Sequence, residues 1–142
     1  MTRYEDDIAL WSQEQAAALE ARRFDDLDIA HLVEEITEVG TSFDLRLASA
    51  LRQVLIHLLK WQSQPAKRSK SWRLSLVEHR DRIPYNLRRA PSLRPQLPAL
   101  IAEVYPDAVR KASLQTDLPA ATFPPVCPWT VAQVCDHDFL PG

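Results

Sequence analysis

The sequence predicts an all-α fold built around one long amphipathic helix. From about residue 28 to residue 62, apolar residues recur at steps of three and four, the spacing that places them on one helical face. The chain has only two glycines, at positions 40 and 142, whereas strand-and-turn proteins need glycine where φ is positive. Its eleven prolines suit loops between helices. A chain of 142 residues is long enough for a single domain, residues 1–142, with its own core.

The first two helices are predicted over residues 4–23 and 28–62. We expect the apolar face of the second helix to be buried along its whole length, roughly 50 Å at about 1.5 Å per residue. Gly40 interrupts this helix, either to let another helix approach closely or to mark a kink, and we expect the helix to continue through it. The apolar positions of the second helix are Ile29, Leu32, Val33, Ile36, Val39, Phe43, Leu47, Ala50, Leu51, Val54, Leu58 and Trp61.

A third and a fourth helix follow two polar connectors. Ser69 or Ser71 can cap the third helix, and Pro84 is expected to bend or end it because its ring removes a donor and crowds the preceding turn. The fourth helix is expected to start at residue 92 or 94 and to kink or restart near Pro106. The inward positions of the third helix are predicted to be Trp72, Leu76, His79 and Ile83.

Residues 118–142 differ from the rest of the chain. The stretch LPAATFPPVCPW is rich in proline and large apolar side chains, which favours an ordered strap lying over the bundle. Thr130 and Gln133 form a capping-box pattern for a short helix that ends before Asp136. Phe139 and Leu140 are then expected to dock.

The sequence also suggests a cellular compartment. The N-terminal segment MTRYEDDIALW is acidic where a secretory signal would be basic and then apolar, and no apolar run approaches the ~20 residues that span a bilayer. Cys127 and Cys135 are too few and too close to indicate a disulfide framework. We therefore expect a cytoplasmic protein with reduced thiols and no membrane association.

Charge is segregated along the chain. Residues 1–59 carry a net charge of −7, residues 60–94 carry +8 and residues 95–142 carry −3. The basic segment, residues 60–94, is interleaved with aromatic side chains, a combination that suits nucleic acid. Because the remaining chain carries −10 and the pI is only about 6.1, we expect charge pairing within the chain or across a dimer instead. An anionic ligand is a further possibility, with the candidate anion-binding residues Lys67, Arg68, Lys70 and Arg73.

One polar pocket is conceivable in the core. His57 falls inside the apolar sector of the second helix, and an imidazole there needs a hydrogen-bond partner. If the third helix packs alongside, the candidate pocket residues Glu35, His57, Trp61, Trp72 and Arg73 could converge to bind a small ligand or to perform acid–base chemistry. The alternative, which we favour, is a structural histidine stacked on Trp61 beside a salt bridge at the rim.

No signature of a metal, a cofactor or a catalytic residue is found. A carboxylate-bridged metal site in a helical bundle needs Glu-x-x-His, whereas His31 and Glu34 run in the reverse order. Cys127 and Cys135, with the adjacent Asp136 and His137, lack the spacing of a zinc site. A single internal glycine rules out a Gly-rich phosphate loop, and no nucleophile has a supporting local motif.

Several stretches resemble a bacterial family known as domain of unknown function 29 (DUF29). They are YEDDIALWSQEQAAALEARRFDDLDIAHLVEEI, HLLKWQ, SKSWR, PSLRP and TFPPVCPWTVAQVCDHDFLP, which together cover nearly the whole chain. The resemblance implies a bacterial protein with a four-helix, up-and-down-like bundle and no assigned activity. Pro84 and Pro98 depart from the continuous helix expected in relatives.

The leading functional hypothesis is a cytoplasmic protein-interaction or regulatory module that acts through its surface, as a homodimer or with another protein. It rests on the absence of a catalytic signature and on the segregated charge. The alternatives are a ligand-binding protein or enzyme using the pocket around Glu35, His57 and Arg73, and a nucleic-acid binder using residues 60–94.

Overall fold

A computed structural model describes all 142 residues of the chain, and it is all-α as predicted. Five α-helices are joined by short loops and four 3₁₀ turns, and no strand is present. The helices are α1 (Ile8–Glu20), α2 (Ile29–Ser63), α3 (Lys70–Arg89), α4 (Leu97–Thr116) and α5 (Val131–Cys135), and the 3₁₀ turns are Phe24–Asp26, Pro65–Lys67, Pro91–Gln96 and Ala120–Thr122.

Local signals define most helix ends. The Asp7 side chain caps α1 by accepting a hydrogen bond from the Leu10 amide at 2.9 Å, and Ser69 caps α3 by accepting from the Trp72 amide at 3.2 Å. Helix α2 runs without a break through Gly40, as predicted. A Cβ at position 40 would meet no atom within 4 Å, so Gly40 does not serve a close helix contact.

Two prolines lie inside helices that the sequence predicted they would interrupt. Helix α3 continues past Pro84 to Arg89, and α4 continues past Pro106 to Thr116. A proline in a helix interior costs about 3 kcal/mol, but burying one large apolar side chain contributes about 1.5–3 kcal/mol. Ile83 and Leu87 on α3 are both buried, so burial offsets the lost backbone hydrogen bond. Neither helix therefore ends or restarts at its proline, whereas the alternatives of a bend at Pro84 and a kink near Pro106 stay predictions.

The chain divides into two compact units, residues 1–42 and residues 43–142. In the N-terminal unit, α1 and the first turns of α2 are joined by side-chain hydrogen bonds, with Trp11, Gln15 and Ala18 buried. The C-terminal unit contains the large apolar core, formed by the second half of α2, by α3 and α4, and by Phe123 and Val134 of the C-terminal segment. The expectation of one domain stays a prediction.

The apolar face of α2 is buried only from Phe43 onward. In the N-terminal unit, α1 lies against a neighbouring flank of α2 that carries Asp28, His31 and Glu35, so the apolar face there is left uncovered. The prediction of a face buried along its full length is therefore wrong for the part of α2 that precedes Phe43. The uncovered residues, here called the apolar stripe, are Ile29, Val33, Ile36 and Val39, each 58–70% exposed.

The C-terminal segment is ordered against the core of its unit. Thr130 and Gln133 form the predicted capping box at the start of α5, which ends at Cys135 as expected. Phe139 and Leu140 are partly buried and contact the core. None of the helices is both long enough and apolar enough to cross a membrane.

Candidate functional site

The five candidate pocket residues are distributed over both units. Glu35 belongs to the N-terminal unit, and the other four belong to the C-terminal unit. Glu35 and His57 are 22 residues apart on α2, which is about six helical turns. Glu35 instead accepts a hydrogen bond from the Tyr4 hydroxyl at 2.5 Å, and this bond raises the pKa of Tyr4 to about 12.

Glu35 is part of a polar network that fastens α1 to α2. Asp28 accepts hydrogen bonds from the Trp11 indole at 3.1 Å and from His31 Nδ1 at 2.6 Å. The bond to Asp28 raises the pKa of His31, and the same bond lowers the pKa of Asp28. The Tyr4 ring stacks on the imidazole, with centroids 4.1 Å apart. Sequence reasoning missed this network because it treated α2 alone, although Trp11 on the preceding helix and Tyr4 just before that helix are natural partners for the polar flank of α2.

A second group surrounds Trp61 at the end of α2. The guanidinium carbons of Arg68 and Arg73 lie 5.0 and 5.4 Å from the centre of the buried Trp61 ring. With Ser69 and Lys70, these residues line an open cavity of about 720 Å³, here called the Trp61 cluster. It contains three of the four residues predicted to bind anions. Lys67 is exposed on the adjoining 3₁₀ turn and does not line the cavity.

No acidic side chain pairs with the cations of this cluster. No side-chain carboxylate of the C-terminal unit lies within 4 Å of Arg68, Lys70 or Arg73, and one Nη of Arg68 donates to an oxygen of Gly142 at 3.0 Å. Within that unit, Arg82 is the one cation of the basic segment that forms such a pair, with Glu78 at 2.8 Å. The expected pairing of the basic segment with acids of the same chain is therefore not seen inside the C-terminal unit.

His57 and Trp72 have different neighbours. His57 Nδ1 donates to the Gln53 carbonyl of its own helix at 2.8 Å, and its ring centre lies 6.0 Å from that of His79. The ring of Trp72 carries the Lys60 ammonium 4.8 Å above its centre. Burial lowers the pKa of His57 and of His79. No ring contact joins His57 to Trp61, so the expected stacking is absent.

A groove on the C-terminal unit combines exposed apolar groups with arginines. It measures about 490 Å³ and is lined by Leu45, Arg46, Ser49, Arg82, Tyr85 and Asn86, here called the Leu45 groove. Leu45 and Tyr85 are 70% and 51% exposed. Beside it, the guanidinium carbons of Arg46 and Arg89 lie 5.0 and 5.1 Å from the centre of the Phe43 ring, and neither arginine has a carboxylate within 4 Å in this unit. Sequence reasoning did not identify this groove, because Leu45 lies outside the apolar face of α2.

The structure contains no group of three His, Cys, Asp or Glu side chains that could hold a metal ion. Cys127 and Cys135 are free, and burial raises the pKa of both thiols. Raised thiol pKa values disfavour the thiolate, which is the nucleophilic form.

The fold and these sites define an all-α protein with two charged, open surfaces. The family model for the domain of unknown function DUF29 matches residues 3–140. The chain therefore belongs to the DUF29 family. Comparison with curated proteins and with solved structures gave no significant match.

Proposed function

We propose that the protein is an interaction module that associates with a second copy of itself. The observation that carries this proposal is the apolar stripe, four aliphatic side chains on successive turns of α2 that are 58–70% exposed. An exposed row of this kind on a helix is typical of a surface that another protein covers.

Charge favours the Leu45 groove of the second copy as the surface that covers the stripe. The N-terminal unit has three arginines against eleven acidic residues, a net charge of −8, whereas the C-terminal unit carries +6. The groove adds exposed Leu45 and Tyr85 to Arg46, and neither Arg46 nor the adjoining Arg89 has an acidic partner within its unit. An acidic unit with an aliphatic row and a basic unit with an apolar groove are complementary in both respects.

Direct pairing of two stripes is disfavoured by the same charges, because it would place two units of −8 against each other. In the proposed dimer, each N-terminal unit lies on the C-terminal unit of the other copy. Such an exchange satisfies both surfaces and closes the assembly at two copies.

Light scattering after size exclusion tests this proposal. We expect twice the mass of one chain at low salt and a shift toward monomer as salt screens the attraction. Val33→Asp with Ile36→Asp should abolish association, because both changes place a charge in the stripe. Leu114→Asp is the matched control, since Leu114 is 74% exposed on α4 and belongs to neither surface. A monomer at all salt concentrations would contradict the proposal, and a dimer that strengthens with salt would indicate stripe-to-stripe pairing instead.

We also place this module in the cytoplasm of a bacterium. Its two half-buried cysteines are free, and unpaired thiols are typical of reducing compartments. Detection of the native chain in the soluble cytoplasmic fraction of its host, with both thiols reactive after unfolding, is the expected result.

A further inference from the structure

We infer that the Trp61 cluster binds the phosphate dianion of a small organic molecule. This inference concerns a different surface from the apolar stripe and the Leu45 groove, and it does not depend on self-association.

The cluster holds two guanidinium groups close to one ring without an acidic side chain that pairs with either of them. Both Arg68 and Arg73 lie within 5.4 Å of the Trp61 ring centre, and Lys70 lines the same cavity. Three like charges in one cavity repel one another, and an anion that enters the cavity relieves this repulsion. Phosphate is the anion that arginine forks match best, through paired N–H···O hydrogen bonds.

Arg68 is already fixed in position. Its Nε donates to the Trp61 carbonyl at 2.8 Å, and one Nη donates to the Gly142 carbonyl at 3.0 Å. The other Nη makes no hydrogen bond and remains available as a donor. A guanidinium held by two backbone carbonyls loses less side-chain freedom when a ligand binds.

The lining of the cavity favours a small ligand over a polynucleotide. Proteins that bind single strands need exposed aromatic faces on which bases stack, but Trp61 is only 5% exposed beneath its two arginines. The cluster therefore offers charge recognition without base stacking.

Titration with inorganic phosphate tests this site, with indole fluorescence or calorimetry as the readout. We expect saturable binding that acetate at equal ionic strength does not reproduce. Binding should be tighter at pH 8 than at pH 6, because phosphate is then the dianion. Arg73→Gln should weaken binding on the order of 10-fold, the scale of one charge-assisted hydrogen bond. Arg73 is exposed and makes no hydrogen bond, so this variant keeps its fold, and Lys70→Gln is a second variant of the same kind.

Arg88→Gln is the matched control, because Arg88 is an exposed arginine of the same helix that lies 6.0 Å from the Tyr85 ring and outside the cluster. It should change phosphate affinity by less than about twofold. Absence of saturable phosphate binding would overturn the inference, as would equal losses in Arg73→Gln and Arg88→Gln. A twelve-nucleotide single strand that binds far more tightly than phosphate, with a steep salt dependence, would assign the cluster to nucleic acid instead.

Discussion

The guanidinium of Arg80 on α3 donates a hydrogen bond to the carbonyl of Val134 on α5 at 2.8 Å, across 54 residues of sequence. Arg80 also donates to the carbonyls of Phe139 at 2.9 Å and Gln133 at 3.1 Å, although its side chain is only 1% exposed. Burial lowers the pKa of Arg80, and no carboxylate lies within 4 Å to compensate. The three carbonyls stabilise the buried charge of Arg80, and the same hydrogen bonds fix the C-terminal segment to α3.

Arg80→Met should destabilise the protein by about 2–4 kcal/mol. The change leaves three backbone carbonyls without a donor. This loss outweighs the desolvation cost that is removed together with the buried charge. Chemical denaturation in urea measures the difference. Arg82→Met is the control, because Arg82 is exposed and its pair with Glu78 should contribute at most about 0.5 kcal/mol. Equal midpoints for the two variants would show that Arg80 does not hold the segment.

The pair Asp28–His31 should make the N-terminal unit sensitive to pH. The hydrogen bond raises the pKa of His31 above its usual 6.5, so the stabilisation is complete below pH 6.5 and is lost as pH rises through the raised value. It lowers the pKa of Asp28 below 3.8, so on the acid side the stabilisation is lost as pH falls through that lowered value. Between about pH 4 and 6.5 the pair contributes most.

Amide hydrogen exchange of α1 in the full chain measures this dependence. Protection of α1, corrected for the intrinsic exchange rate, should decrease between pH 6.5 and pH 8.5. His31→Gln should remove the trend. His137→Gln, which changes an exposed histidine of the C-terminal unit, should preserve it. Protection that stays constant with pH in the unmodified protein would contradict the assignment.

His79→Leu should leave stability unchanged or increase it by up to about 1 kcal/mol. The Nδ1 atom of His79 is buried without a hydrogen-bond partner, so replacing the ring with an apolar group removes a desolvation cost. Because burial lowers the pKa of His79, the unfolded state binds a proton at this residue at a higher pH than the folded state does. The gain in stability from His79→Leu should therefore be larger at pH 5 than at pH 8. Urea midpoints at both pH values measure it. A loss of more than about 1 kcal/mol would mean that the imidazole has a partner in solution.

Gly40→Ala should stabilise the protein by about 0.5–1 kcal/mol. Gly40 lies inside α2, and an added Cβ meets no atom within 4 Å, so the change restricts the unfolded chain without causing a clash. Thermal or urea unfolding measures the gain, with Gly142→Ala, outside any helix, as a neutral control. A destabilised Gly40→Ala protein would show that α2 must bend at this position.

Features set by neighbouring residues could be predicted from the sequence. Helix α2 begins and ends within one residue of the predicted 28–62, and the caps at Ser69 and Thr130 are where short motifs placed them. The continuation of α3 past Pro84 could not be predicted, because the burial of Ile83 and Leu87 that compensates for the proline depends on tertiary packing. The uncovered stripe was missed because its exposure depends on which flank of α2 contacts α1.

In the candidate site, too, features set by nearby residues could be predicted and features set by tertiary packing could not. Trp61, Arg68 and Arg73 lie together because a helix end and a short connector bring residues close in sequence around one ring. Glu35 was grouped with His57 by angular position on α2, without regard to their distance along its axis. Arg80 could have been found, because it lies four residues after Leu76 and three before Ile83, on the buried face of α3. Its carbonyl partners could not have been found, because they lie 53 to 59 residues away in sequence.

Mixing two variants tests the proposed exchange between copies most directly. Val33→Lys places a positive charge in the stripe, opposite Arg46 in the groove and Arg89 beside it, and Arg46→Glu with Arg89→Glu reverses both of those charges. Each variant alone should be monomeric by sedimentation velocity, because both stripe-to-groove contacts of its homodimer would place like charges against each other. The equimolar mixture should form a dimer. The positively charged stripe of one variant then meets the acidic groove of the other, and the second contact joins an unmodified stripe to an unmodified groove. A mixture that remains monomeric would contradict self-association through these two surfaces.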